Sequence, residues 1–99
     1  MTVRLVNHRK GGNRDDMVAA VNGLKSWWTR HGTQDVSLSQ EIAGPAAGQW
    51  VVVIWWNDWQ SYGSGMAAAV SDPEFLAILG KVEAVGELTS RRLLTSIDL

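Results

Sequence analysis

Trp50-Val51-Val52-Val53-Ile54-Trp55-Trp56 is the stretch on which the reading of this chain turns. Every residue in it is β-branched or aromatic, and the two-residue period of a strand puts Trp50, Val52, Ile54 and Trp56 on one side and Val51, Val53 and Trp55 on the other. Both sides are apolar, the pattern of a central strand covered on both faces. Burying one Val or Trp side chain is worth about 2 kcal/mol, so leaving either set in water is costly.

Upstream of this strand, Ala43-Gly44-Pro45 is a turn. Before it, residues 35 to 42 alternate Val36, Leu38 and Ile42 against Ser37, Ser39 and Glu41, which predicts a strand with one apolar face. Downstream, Asn57 followed by Gln60 reads as a capping box opening a helix, with Trp59, Tyr62, Met66 and Val70 as its apolar stripe. Ser71-Asp72-Pro73 interrupts that helix, because Pro lacks the amide donor and is favoured as the first residue of a new helix after an Asp cap. Phe75, Leu79 and Val82 form the stripe of the second piece, Gly86 closes it, and residues 88 to 97 form a last strand. At the other end, residues 2 to 8 are a strand with Val3 and Leu5 on one side and Arg4, Val6 and His8 on the other. Gly11-Gly12-Asn13 ends it, and Asn13 with Asp16 caps a helix carrying Met17, Val21, Leu24 and Trp28 on one face and stopping at Gly32.

The order is β-α-β-β-α-β, an α+β fold in which two helices, the second in two pieces, cover one face of a four-stranded antiparallel sheet. Residues 1–99 are expected to form one domain, since the length suffices for a single core. With one sheet face left over and the third strand apolar on both, a second copy of the chain is the simplest cover, so a homodimer is expected.

Composition narrows the function classes. Nine Lys and Arg against ten Asp and Glu give a net charge of −1, which argues against a nucleic-acid partner. There is no Cys, which removes thiol nucleophiles and thiolate metal sites and fits a reducing, cytoplasmic setting. No apolar run approaches a membrane span, so no membrane partner is expected. His8 and His31 stand apart without a carboxylate pattern, so no metal is expected. The cations of His8-Arg9-Lys10-Gly11-Gly12-Asn13-Arg14 precede a helix start but match no phosphate-loop pattern, and Asp15 and Asp16 would repel an anion there. No other cofactor signature occurs, and no cofactor is expected. Gly63-Ser64-Gly65 is no nucleophile elbow, and its small residues suit close helix packing.

The element order, the aromatic strand running into Trp56-Asn57-Asp58-Trp59-Gln60-Ser61-Tyr62, and the Ser71-Asp72-Pro73-Glu74-Phe75 break together resemble the ferredoxin-like dimeric α/β-barrel superfamily, near antibiotic-biosynthesis monooxygenases and stress-responsive barrel proteins. The resemblance spans nearly the whole chain. It implies pairing of the first and third strands at the sheet centre and dimerisation into an α/β barrel. Members include cofactor-independent monooxygenases and haem-degrading enzymes. The latter look to rest on an Asn in the first strand with a Trp and a His on the second helix; Asn7 matches and Trp59 is roughly placed, but no His follows His31, so the iron ligand is missing.

The six Trp residues are the most unusual feature of the composition. Their indoles suit the walls of a pocket for a flat apolar molecule, and equally suit a core and a dimer interface. A pocket is expected between sheet and helices, where the third strand meets the second helix, lined by Trp55 or Trp56, Trp59 and Tyr62, with Asn7 or His8 nearby. Three functions follow: binding of a small apolar or aromatic metabolite, cofactor-independent oxygenation of an aromatic or polyketide-like substrate, or a barrel filled by its own side chains.

Overall fold

The computed structural model describes residues 1–99. Strands β1 (Val3–Lys10), β2 (Asp35–Gln40), β3 (Trp50–Trp56) and β4 (Glu87–Thr95) alternate with helices α1 (Arg14–Thr29), α2 (Trp59–Ser71) and α3 (Pro73–Val85). The strands form one antiparallel sheet in the order β2-β3-β1-β4. β1 and β3 are therefore the central pair, with Leu5 opposite Ile54 and Asn7 opposite Val52. This is the ferredoxin-like arrangement.

All three helices lie on one face. Burial alternates without a break along β3: Trp50, Val52, Ile54 and Trp56 are buried beneath the helices, while Val51, Val53 and Trp55 are partly exposed on the other side. β1 follows the same rule, with Val3, Leu5, Asn7 and Arg9 inward and Arg4, Val6 and His8 outward. α1 packs its Met17, Val21, Leu24, Trp27 and Trp28 face against the sheet and α3. The centre of the core is aromatic: Trp28 meets Trp27 edge-on at 5.0 Å and Trp56 at 5.2 Å, and Phe75 lies 4.6 Å from Trp27.

Several local expectations need correction. The α2 cap is Asp58 rather than Asn57: Asp58 has the extended backbone of a cap, and its carboxylate accepts from the Ser61 amide at 2.7 Å. Gln60 is then the second helical residue, one position early for the reciprocal bond of a capping box. The inward face of α2 is Tyr62, Gly65, Met66 and Ala69, whereas Trp59 is 44% and Val70 71% exposed. β2 ends at Gln40, because Glu41 turns into a compact loop in which its carbonyl accepts from Gly48 and its carboxylate from the Ala46 amide. Ile42 consequently sits in that loop, 85% exposed.

The break between α2 and α3 falls where expected, and Asp72 organises it. Its carboxylate caps α3 through the Glu74 amide at 2.9 Å and accepts from the Trp27 indole at 2.9 Å, tying the break to α1. His31 stacks on the other side of Trp27 at 3.8 Å. The Trp27 N–H, followed by the Glu74 amide, holds the Asp72 carboxyl below the usual carboxylate range. A depressed pKa means stabilisation that is complete above the ordinary carboxylate value and is lost as pH falls through the folded-state value. Thermal melts of the wild type and Asp72→Asn should therefore differ most near neutral pH and converge under acid conditions; a gap independent of pH would show that ionisation of Asp72 is not involved.

Gly65 lets α2 approach the indoles: a Cβ there would stand 2.9 Å from Trp28 and 3.3 Å from Trp56, whereas one at Gly63 would meet nothing within 4 Å. Alanine gains about 1 kcal/mol over glycine in a helix interior, but forcing a methyl into a packed core costs about 1–3 kcal/mol. Denaturant unfolding should find Gly63→Ala neutral or stabilising and Gly65→Ala destabilising. Equal behaviour of the two would refute the close approach.

Candidate functional site

Between the sheet and α1, α2 and α3 the core does not close. A cavity of about 210 Å³ remains, floored by Leu5, Val52 and Ile54 and walled by side chains such as Leu24, Phe75 and Leu79. It lies towards the β4 edge of the sheet, where burial is poorest: β4 has no buried residue, and Leu88, Leu93 and Leu94 are each about two-fifths exposed, at 39%, 42% and 40%. Of the six indoles, only Trp28 borders the cavity.

Twelve of the fifteen lining residues are hydrophobic, and the other three, Asn7, Arg9 and Arg91, are neighbours. Asn7 and Arg91 are directly paired across β1 and β4, and Arg9 follows Asn7 on the same face. The Arg91 Nε donates to Asn7 Oδ1 at 2.7 Å, which orients the amide and leaves its NH2 as a donor. Arg9 is only 3% exposed, yet its guanidinium makes one hydrogen bond, to the Gly86 carbonyl at 3.0 Å. No carboxylate oxygen lies within 4.0 Å of either guanidinium. Burial pushes the Arg9 pKa below the ordinary arginine value; Glu83 opposes that shift and Arg91 adds to it. An arginine nevertheless keeps its proton in proteins, so Arg9 is a buried cation beside a second one.

The residues expected around a single pocket are divided by the strand alternation. Asn7 borders the cavity. His8, one residue on, faces the opposite side of the sheet, where its Nε2 lies 3.4 Å from Glu41 Oε1 and its Nδ1 is buried without a partner. Trp55 is on that side too, beside Arg4, Gln34 and Asp35. Trp56 is fully buried on the helix side but packs between Trp28 and Tyr62, whose ring it meets edge-on at 5.0 Å. Trp59 stands outside Tyr62 at 5.6 Å and is partly in water. Trp56, Tyr62 and Trp59 thus form an aromatic stack behind Trp28 and do not border the cavity. Of the fifteen lining residues the expected site held only Asn7; it lacked the two arginines, Arg9 and Arg91, the indole of Trp28 and the aliphatic walls. Extending β1 by two residues places Arg9 on the face of Asn7, a signal available in the alternation; Arg91 becomes a neighbour only through the β1–β4 register.

No protein-family model matches the chain. No curated protein matches it either. Solved structures do. The cofactor-independent oxygenase SnoaB from Streptomyces nogalater superposes with a TM-score of 0.74 at 17% identity, over 99% of this chain and 95% of that one. A NIPSNAP domain protein from Burkholderia xenovorans gives 0.72 at 12% identity, over 98% and 95%. A protein from Agrobacterium tumefaciens gives 0.72 at 15%, over 98% and 94%. The chain therefore shares the ferredoxin-like fold of these structures over nearly its whole length.

A buried cation without a carboxylate partner is a burden on the folded state. Replacing Arg9 by a flexible apolar side chain of similar length should raise the melting temperature of the ligand-free protein by a few degrees in Arg9→Met. A marked fall would mean that the guanidinium, through Gly86, is principally a structural cap.

Proposed function

We propose that this chain binds a small, flat, largely apolar molecule in the cavity between its sheet and helices, and does so as a homodimer joined through the open sheet face. The observation that carries the reading is the cavity itself: an apolar space of about 210 Å³ whose only polar lining is gathered in Asn7, Arg9 and Arg91. Ligand sites are typically of this composition, with a few convergent polar groups setting orientation. An apolar cavity of roughly 150 Å³ already admits benzene, so the space suits one or two fused rings. In this reading Asn7 touches the ligand, Trp56, Tyr62 and Trp59 stiffen the wall behind Trp28, and His8 and Trp55 belong to the subunit interface. The dimer is supported by the open face, where Val6, Val51, Val53, Trp55 and Leu94 are apolar and no element of the same chain covers them.

A second reading, oxygenation without a cofactor, is supported by the likeness to SnoaB, itself such an oxygenase. In that chemistry the substrate supplies every electron: a CH2 carbon becomes C=O, one oxygen atom staying on carbon and the other leaving as water with the two hydrogens. A guanidinium beside the substrate oxygen would favour the enolate that has to react.

Sedimentation should give about twice the 10.9 kDa chain mass, and Val53→Asp should dissociate or unfold the protein. A monomeric wild type would end the dimer part of the proposal. Titration with 2-naphthol should quench tryptophan fluorescence saturably, and Leu79→Trp, which fills the cavity, should abolish the response while remaining folded. Quenching unchanged in that variant would move the site elsewhere. Oxygen consumption with 1-naphthol, whose keto tautomer carries the CH2 that would become the second carbonyl of 1,4-naphthoquinone, above the rate without protein and lost in Leu79→Trp, would favour the oxygenase reading.

A further inference from the structure

We infer that the molecule held in the cavity is an aromatic carboxylate, its carboxylate seated against Arg9, Arg91 and Asn7. The inference rests on the binding reading above and adds the charge and chemical class of the ligand.

Hydrogen-bond chemistry at the polar end of the cavity is one-sided. An arginine offers five N–H donors and no acceptor. Arg9 uses a donor on Gly86 and Arg91 uses one on Asn7, and no other protein acceptor is bonded to either guanidinium. The single side-chain acceptor in the group, Asn7 Oδ1, already accepts from Arg91 and has one lone pair left against the many free donors. What faces the cavity is thus a corner of donors bearing two positive charges. A ketone or phenol would satisfy one or two donors and leave the charges uncompensated. A carboxylate brings acceptors only, with room for about four hydrogen bonds, and the matching charge.

The protein does not supply that charge itself. The chain's ion pairs are Lys25 with Asp35 and Arg30 with Glu74, Glu41 lies against His8, and none of these involves this corner. Glu83 is exposed on α3 and acts on Arg9 only from beyond contact range. The Gly86 bond accounts for one donor of Arg9 and gives no reason for a second guanidinium beside it. The size of the cavity, about 210 Å³, restricts the body of the ligand to one or two rings.

Binding of 2-naphthoate and 2-naphthamide, matched in shape and different in charge, is the test, read by tryptophan fluorescence and calorimetry. The carboxylate should bind about ten- to a hundredfold more tightly, the usual weight of hydrogen bonds to charged groups. That advantage should disappear in Arg91→Gln, an exposed position where folding is not at risk, and in Arg9→Gln. Equal affinities for acid and amide would overturn the inference and leave the cavity reading intact. Arg92 is paired with Val6 on the open sheet face, and an advantage that survives Arg91→Gln but vanishes in Arg92→Gln would put the anion there and overturn the inference as well. Absence of binding by either compound at millimolar concentration would remove both.

Discussion

One strand constrains the rest of this structure. β3 carries large apolar side chains on both of its faces, and a strand offers no way to hide both sets behind a single layer. With α1, α2 and α3 on one side, Trp50, Val52, Ile54 and Trp56 become the floor of a core. Val51, Val53 and Trp55 become a surface that the chain does not cover. The sheet order adds a second asymmetry, because β3 and β1 are the central pair while β4 stands at the edge with its leucines about two-fifths exposed. The cavity opens where these two facts meet, between the covered centre and the uncovered edge.

Packing around the cavity is tight where it has to be. Gly65 brings α2 onto Trp28 and Trp56, and the Asp72 carboxylate joins the α2–α3 break to Trp27 on α1. These contacts hold the helices as a roof of fixed shape, so the space beneath is bounded by well-packed indoles and aliphatic side chains. Against that background the pair Arg9 and Arg91 stands out as a local choice that works against stability. Burying the Arg9 cation beside a second arginine, with no carboxylate to balance it, is the kind of conflict that proteins keep at sites of function.

Much of the fold was legible in the residues. The alternation in 50–56, the Asn13 cap and the Asp72-Pro73 break each state a local rule that no distant contact overrides, and all three appear where the sequence puts them. The central pairing of β1 with β3 was not legible that way; it came from the resemblance, because strand spacing says nothing about who pairs with whom. The aromatic cluster misled for a physical reason. Indoles are as useful for filling a core as for lining a pocket, and here Trp27, Trp50 and Trp56 went to the core, with the Trp50 N–H bonded to the Gly11 carbonyl. Asn7 and His8 were grouped by adjacency, although adjacent residues of a strand face opposite ways. An alternation followed only to residue 8 leaves Arg9 among the loop cations, whereas β1 runs to Lys10, and those two residues carry the key to the polar corner.

The division of labour between the two sheet faces, a ligand chamber under the helices and a subunit interface on the bare side, can be examined in one crystal. A complex with 6-bromo-2-naphthoate, phased at the bromine edge, locates the ring directly. The expected result is a single anomalous peak inside the cavity, with the carboxylate within hydrogen-bond distance of Arg9 and Arg91 and a second chain seated on Val53 and Trp55. A peak on the open face beside His8 and Arg92, with the cavity empty, would reverse the assignment of the two faces.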